Sequence, residues 1–174
     1  DLHPGYALHE EPGSITDDTF IRADIARFFL AEEQPWTVDS LCTFLLNHAD
    51  FAYWWKPAVD ALRRVEAGTP PAESGKMQMQ GGGNGWWYPV AMLYSGQPAK
   101  AAEVVRELSQ PWKGGLESQL LGALVGSMAY ALQDDSDYKG VIDTAIELCE
   151  GTLGKALIQR AVEVGESADT WQEL

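Results

Sequence analysis

The stretch Leu116–Gln133 constrains this chain more than any other. It is the most apolar helical run, and small residues recur in it at Ser118, Gly122 and Gly126, four apart and so on one helix face. No apolar run in the chain reaches the roughly 18 residues of a membrane span. The small-residue stripe therefore means close contact between packed helices rather than a membrane dimer. Most of the remaining chain carries the same helical period, with no convincing strand pattern and no internal repeat. With 174 residues the chain is long enough for one domain with a sizeable core. The expectation is an all-α fold: a single domain over 1–174, built as a compact orthogonal bundle of roughly eight helices.

Taken in order, residues 1–15 read as irregular, broken by Pro4, Gly5, Pro12 and Gly13. Asp17–Glu33 reads as the first helix, with Phe20, Ile21, Ile25, Phe28 and Phe29 on its apolar face and Pro35 beyond its end. Thr37 is positioned to cap a second helix that runs to about His48. Phe51, Tyr53, Trp54 and Trp55 form an aromatic cluster that fits a core or interface better than a ligand pocket. Pro57 opens a third helix ending at Gly68, and residues 68–85 read as one long loop. Pro98 starts a helix to Ser109, and Gly114-Gly115 breaks the chain ahead of the central run. The acidic turn Asp134–Asp137 lacks the glycine and distal glutamate of a calcium loop and reads as a solvated cap. Two amphipathic helices, Tyr138–Glu150 and Leu153–Val164, complete the chain.

Chemistry is concentrated in two places. At Thr16-Asp17-Asp18-Thr19 two carboxylates sit between two hydroxyls at the start of the first helix. Thr16 is a suitable N-cap, and one acid in the first turn answers the helix dipole. Two acids flanked by two hydroxyls exceed that need, and they offer hard oxygen donors of the kind Mg²⁺ takes. The second place is Gly81-Gly82-Gly83-Asn84-Gly85, followed by Trp86, Trp87 and Tyr88. A glycine run lets backbone approach a ligand closely and point N–H groups at an anion, although it lacks the Lys-Ser/Thr of a P-loop. The formal net charge of −14 argues against nucleic acid as a partner. The two cysteines, Cys42 and Cys149, lie on apolar helical patterns and read as buried thiols of a reducing compartment. With no membrane span and no signal peptide legible, the expected location is cytoplasmic.

The two motifs together resemble the ADP-ribosylglycohydrolases. Gly13-Ser14-Ile15-Thr16-Asp17-Asp18-Thr19, with a helix behind it, is similar to that family's metal motif. Gly83-Asn84-Gly85, followed by Val90-Ala91-Met92, is similar to its substrate loop. Gln97-Pro98-Ala99-Lys100-Ala101-Ala102 and Leu121–Ala129 resemble the helix start and the buried central helix that follow in the family. The resemblance implies an all-α fold of that type and a site with one or two Mg²⁺ or Mn²⁺ ions. Thr16, Asp17 and Asp18 match its first metal ligands, and Asp17 and Asp18 would carry the catalytic centre. Gly82, Gly83, Asn84 and Gly85 would face the diphosphate of ADP-ribose, and Trp86, Trp87 or Tyr88 would stack on adenine. The implied reaction is hydrolysis of an N- or O-glycosidic bond to ADP-ribose or a related nucleoside, on a small molecule or an ADP-ribosylated protein.

The chain also departs from the family pattern. Tyr6 stands where the family has an early acid, and only fifteen residues precede Thr16. No late Asp-x-Asp-Thr element supplies the remaining metal ligands; the spare acids are Asp50, Asp60 and the Asp134–Asp137 turn. Tyr88-Pro89 stands in place of Met-Arg, and Ser109-Gln110 where the family has a histidine. A piece of a longer protein, or a shortened member, would account for this. The second reading is thus an inactive relative that binds or scaffolds without turnover. A third is a Mg²⁺-dependent diphosphate enzyme of the terpene-cyclase kind. Exposed tryptophans would suit an interface between copies of the chain, a homo-oligomer.

Overall fold

The first described helix begins immediately after Thr16, where the sequence turns from glycine and serine to an apolar period. The structure, a computed structural model, describes residues 15–77, 83–168 and 170. Among them are nine α-helices and no strand: α1 (Asp17–Ala31), α2 (Val38–His48), α3 (Lys56–Glu66), α4 (Pro71–Lys76), α5 (Tyr88–Leu93), α6 (Pro98–Leu108), α7 (Gly115–Ala131), α8 (Tyr138–Leu148) and α9 (Thr152–Ser167). Two 3₁₀ turns, Phe51–Tyr53 and Asn84–Trp87, complete the described order. The all-α expectation holds, and among the described residues no helix is long and apolar enough to cross a membrane.

Helix boundaries follow their capping residues. Thr37 and Ser40 form a reciprocal capping box at the start of α2. Asp137 opens α8, its carboxylate accepting the Gly140 N–H at 2.6 Å, so the acidic turn is a cap as expected. Pro57 and Pro98 stand in the first turns of α3 and α6, where no N–H partner is lost. The loop expected over 68–85 is a correction. Pro71, in the first turn, opens the short helix α4, and Gly75 seats that helix against the 110–114 turn. A Cβ on Gly75 would stand 2.2 Å from the Gln110 carbonyl oxygen and 2.6 Å from that of Lys113.

Helix α7 packs against α5, α6, α8 and α9, as a central helix should. Its small residues admit two kinds of neighbour. At Gly126 a Cβ would meet Leu148, the Pro98 carbonyl and Ala102. At Gly122 it would meet the Arg106 guanidinium, which crosses the stripe, donates to the Leu148 carbonyl and pairs with Glu150 at 2.9 Å.

The other half of the core is aromatic. Trp54, Trp86, Trp87 and Trp112 are all buried, and Trp36 and Trp55 are half-buried. This corrects the expected exposed tryptophans: none of those described is exposed, because burial of their large apolar area builds the core. Trp54 alone of the Phe51–Trp55 cluster is fully buried.

Both cysteines are buried free thiols. Burial, reinforced by the charge of Asp39, pushes the Cys42 thiol up to about 12. A buried thiol held protonated is a poor nucleophile. The native protein is therefore expected to leave Cys42 unmodified by an aromatic disulfide reagent at pH 8, and to react there only once unfolded. Rapid stoichiometric modification of Cys42 in the native state would contradict this packing.

Candidate functional site

The two chemical motifs, some 65 residues apart, lie against each other. Helix α1 supplies one side and the Asn84–Trp87 turn the other, with α5 continuing from that turn. Ahead of α1, Thr16 is extended (φ −93°, ψ 169°), and its carbonyl accepts the N–H groups of Thr19 and Phe20 at 3.0 and 3.3 Å. Its hydroxyl makes no capping bond, which corrects the expected side-chain cap. Asp17 and Asp18 already place negative charge at the positive end of the helix.

Asp18 points at the opposite motif. Its Oδ1 accepts a hydrogen bond from the Trp86 indole N–H. One turn later Arg22 reaches the same segment: its Nε donates to the Gly85 carbonyl at 2.7 Å, and its guanidinium lies 4.8 Å from the centre of the Tyr88 ring. The glycines of the turn answer these contacts. Gly83 has φ +75°, and a Cβ there would stand 2.6 Å from the Trp86 ring. A Cβ on Gly85 would approach Arg22 Nη2 to 3.0 Å.

The residues expected to bind substrate divide accordingly. Gly83, Asn84 and Gly85 are at the junction, and Gly82 lies outside the described residues. Trp86 is a correction. Only 2% exposed, it packs edge-on to Trp55 and Trp112 at centroid distances of 6.5 and 6.4 Å, so it has no open face for adenine. Trp87 is fully buried as well. Tyr88, half-buried, is the aromatic of the three that retains surface.

Two residues of this region were not singled out from the sequence. Arg22 is one; its signal was its position four residues after Asp18, on the same helix face. Asp24 is the other, a polar residue on the apolar stripe of Ile21, Ile25 and Phe28. Buried, it accepts the Trp54 indole N–H at 2.9 Å and pairs with Arg27 at 3.0 Å.

The donors available to a divalent cation are the Thr16 hydroxyl, the Asp17 carboxylate and the second oxygen of Asp18. These are hard oxygen donors of the kind Mg²⁺ or Mn²⁺ takes, such ions keeping several waters. No group of three or more His, Cys, Asp or Glu side chains gathers to hold a metal among the described residues. Three of the spare acids serve elsewhere. Asp50 caps the first 3₁₀ turn through the Ala52 N–H, Asp60 pairs with Lys56, and Asp137 caps α8.

Two surface hollows lie outside this junction. One, of about 420 Å³, is lined by Arg27, Leu30, Ala31, Glu32, Phe44 and His48. The other, of about 270 Å³, is apolar and is lined by Ala26, Phe29, Leu30, Pro89, Met92 and Leu93. Comparison with family models, with curated proteins and with solved structures finds no match to this chain.

Proposed function

We propose that the chain is an ADP-ribosylglycohydrolase-type hydrolase that cleaves a glycosidic bond to ADP-ribose, its substrate a small molecule or an ADP-ribosylated protein. The observation that supports this is the meeting of the acidic helix start with the Gly83-Asn84-Gly85 turn, bridged by Asp18–Trp86 and Arg22–Gly85. Thr16, Asp17 and Asp18 would hold Mg²⁺ or Mn²⁺, which supplies Lewis-acid charge to orient ribose hydroxyls and an attacking water. The Asp17 and Asp18 carboxylates provide the negative charge that an oxocarbenium-like transition state gains from. The turn's glycines let its backbone approach the diphosphate closely. Buried free thiols at Cys42 and Cys149 support a reducing compartment such as the cytoplasm.

A second reading, a relative that binds ADP-ribose without turnover, is favoured by a specific observation. One Asp18 oxygen is already taken by Trp86, and Asp50, Asp60 and Asp137 are engaged as caps or in a surface ion pair.

Calorimetric titration of Mg²⁺ and Mn²⁺, followed by ADP-ribose, tests both. The hydrolase reading expects cation binding that vanishes in the Asp17→Ala/Asp18→Ala double variant, ADP-ribose binding that requires the cation, and release of ADP-ribose from an O-linked substrate. Cation-independent ADP-ribose binding without release would select the second reading. An intact chain that binds neither would sink both.

A further inference from the structure

The helix face that carries Asp18 also carries Arg22, four residues on. An Asp–Arg pair at that spacing commonly forms its own ion pair. Here the two side chains reach across to the opposite motif instead. Asp18 accepts from the Trp86 side chain, and Arg22 donates to the Gly85 main chain. The Gly85–Trp86 peptide is thereby held at both ends: its carbonyl by Arg22 Nε at 2.7 Å, its N–H by the Gly83 carbonyl at 3.4 Å. Because the peptide is planar and trans, fixing the carbonyl fixes the direction of the N–H. The guanidinium over the Tyr88 ring completes the hold, adding a cation–π contact at the start of α5. The main chain of Gly85 permits the approach because it has no Cβ to meet Nη2.

We propose that Arg22 is the positioning residue of this site: it sets the conformation of residues 83–88 in which the turn receives an ADP-ribose-type diphosphate. The ligand in this statement rests on the function proposed above; the positioning does not. Lysine cannot take the place of arginine here. It has no Nε–H fork to hold a carbonyl while a planar group lies on the tyrosine ring. Charge does not separate the two, since either would supply the cation that a diphosphate approaching Asp17 and Asp18 needs beside them; the fork geometry does.

The test uses Arg22→Met and Arg22→Lys in the intact chain, with three readouts. Native-state hydrogen exchange at the amides of residues 84–88 is expected to accelerate about tenfold in both variants, while exchange in α7 stays as in the wild type. ADP-ribose affinity is expected to fall about tenfold in both, with Mn²⁺ affinity not lowered, because the acidic pair is untouched and Arg22→Met only removes a neighbouring positive charge. Unchanged exchange at 84–88 in Arg22→Met overturns the positioning role, and so does full recovery by Arg22→Lys. Accelerated exchange throughout the chain overturns it too, since that outcome is general destabilisation. Faster exchange confined to 84–88, with no ADP-ribose binding in the wild type, supports the positioning role and removes the functional reading instead.

Discussion

Trp54→Ala is expected to destabilise this protein by about 5 kcal/mol, the sum of two separate losses. Trp54 is fully buried, and its ring packs edge-on against Phe51 at a centroid distance of 5.4 Å. Truncating a buried tryptophan to alanine costs roughly 3–5 kcal/mol in lost burial and residual cavity. The second loss falls on Asp24. Its Oδ2 accepts the Trp54 indole N–H at 2.9 Å, and the residue is only 8% exposed. Without the donor, a buried carboxylate oxygen loses its partner, at roughly 1–3 kcal/mol. The Arg27 pair at 3.0 Å remains, but the Arg27 side chain is 63% exposed and solvent screens it. For a chain of this size the sum lowers the thermal midpoint by about 10–20 °C. Trp54→Phe separates the terms, because it keeps most of the ring and removes the N–H; its expected loss is about 2 kcal/mol. Calorimetric melting of the two variants decides the matter. A midpoint within about 3 °C of wild type for Trp54→Ala would mean that α1 and the 51–55 segment are not joined through this bond.

That bond also marks where the sequence stopped being legible. The helices announced themselves through period and caps: Thr37, Asp137, Pro57 and Pro98 each stand within a residue or two of the boundary they foretell. The short helix α4 was missed because Gly68, Pro70 and Pro71 are loop residues by composition, and its stability comes from the backbone approach of Gly75 to the 110–114 turn. No local pattern reports such a contact. The two chemical motifs were visible as motifs, but their partners were not. A buried indole N–H gains from an acceptor, although that of Trp87 has none. For Trp86 that acceptor is Asp18, one of the two acids read as metal ligands. The tryptophan that looked suited to stacking on a base was instead a core residue with one polar obligation. Composition made it look available, and only packing shows that its faces are already covered. Arg22 was overlooked for the converse reason. Its contact is to a main-chain carbonyl, and a main-chain acceptor leaves no side-chain signature at position 85 beyond the glycine itself.

Gly126→Val tests the feature that most constrained the fold from the start. An ideal Cβ at Gly126 would lie 2.3 Å from Leu148 Cδ1, 2.9 Å from the Pro98 carbonyl oxygen and 3.3 Å from Ala102 Cβ. The first of these is the end of a side chain and can rotate away. The second is backbone at the start of α6 and can move only if that helix moves. Replacing glycine inside a helix by alanine gains roughly 1 kcal/mol of intrinsic propensity, and by valine somewhat less. Overpacking costs about 1–3 kcal/mol where neighbours relax, and more where they are backbone. Gly126→Ala is therefore expected to lose about 1 kcal/mol net, and Gly126→Val about 3 kcal/mol or more, with the α6–α7 contact loosened. Gly165→Ala is the control. It too lies in a helix, α9, but nothing stands within 4 Å of its added Cβ. There the propensity gain is unopposed, and a stabilisation of about 0.5–1 kcal/mol is expected. Chemical denaturation of the three variants orders them as Gly165→Ala, wild type, Gly126→Ala, Gly126→Val. If Gly126→Val instead unfolds with the wild type, the small residues of α7 do not serve close helix packing, and the arrangement of α6, α7 and α8 around them is wrong. If all three variants gain stability together, propensity alone governs this helix and its neighbours stand farther off than 2.9 Å.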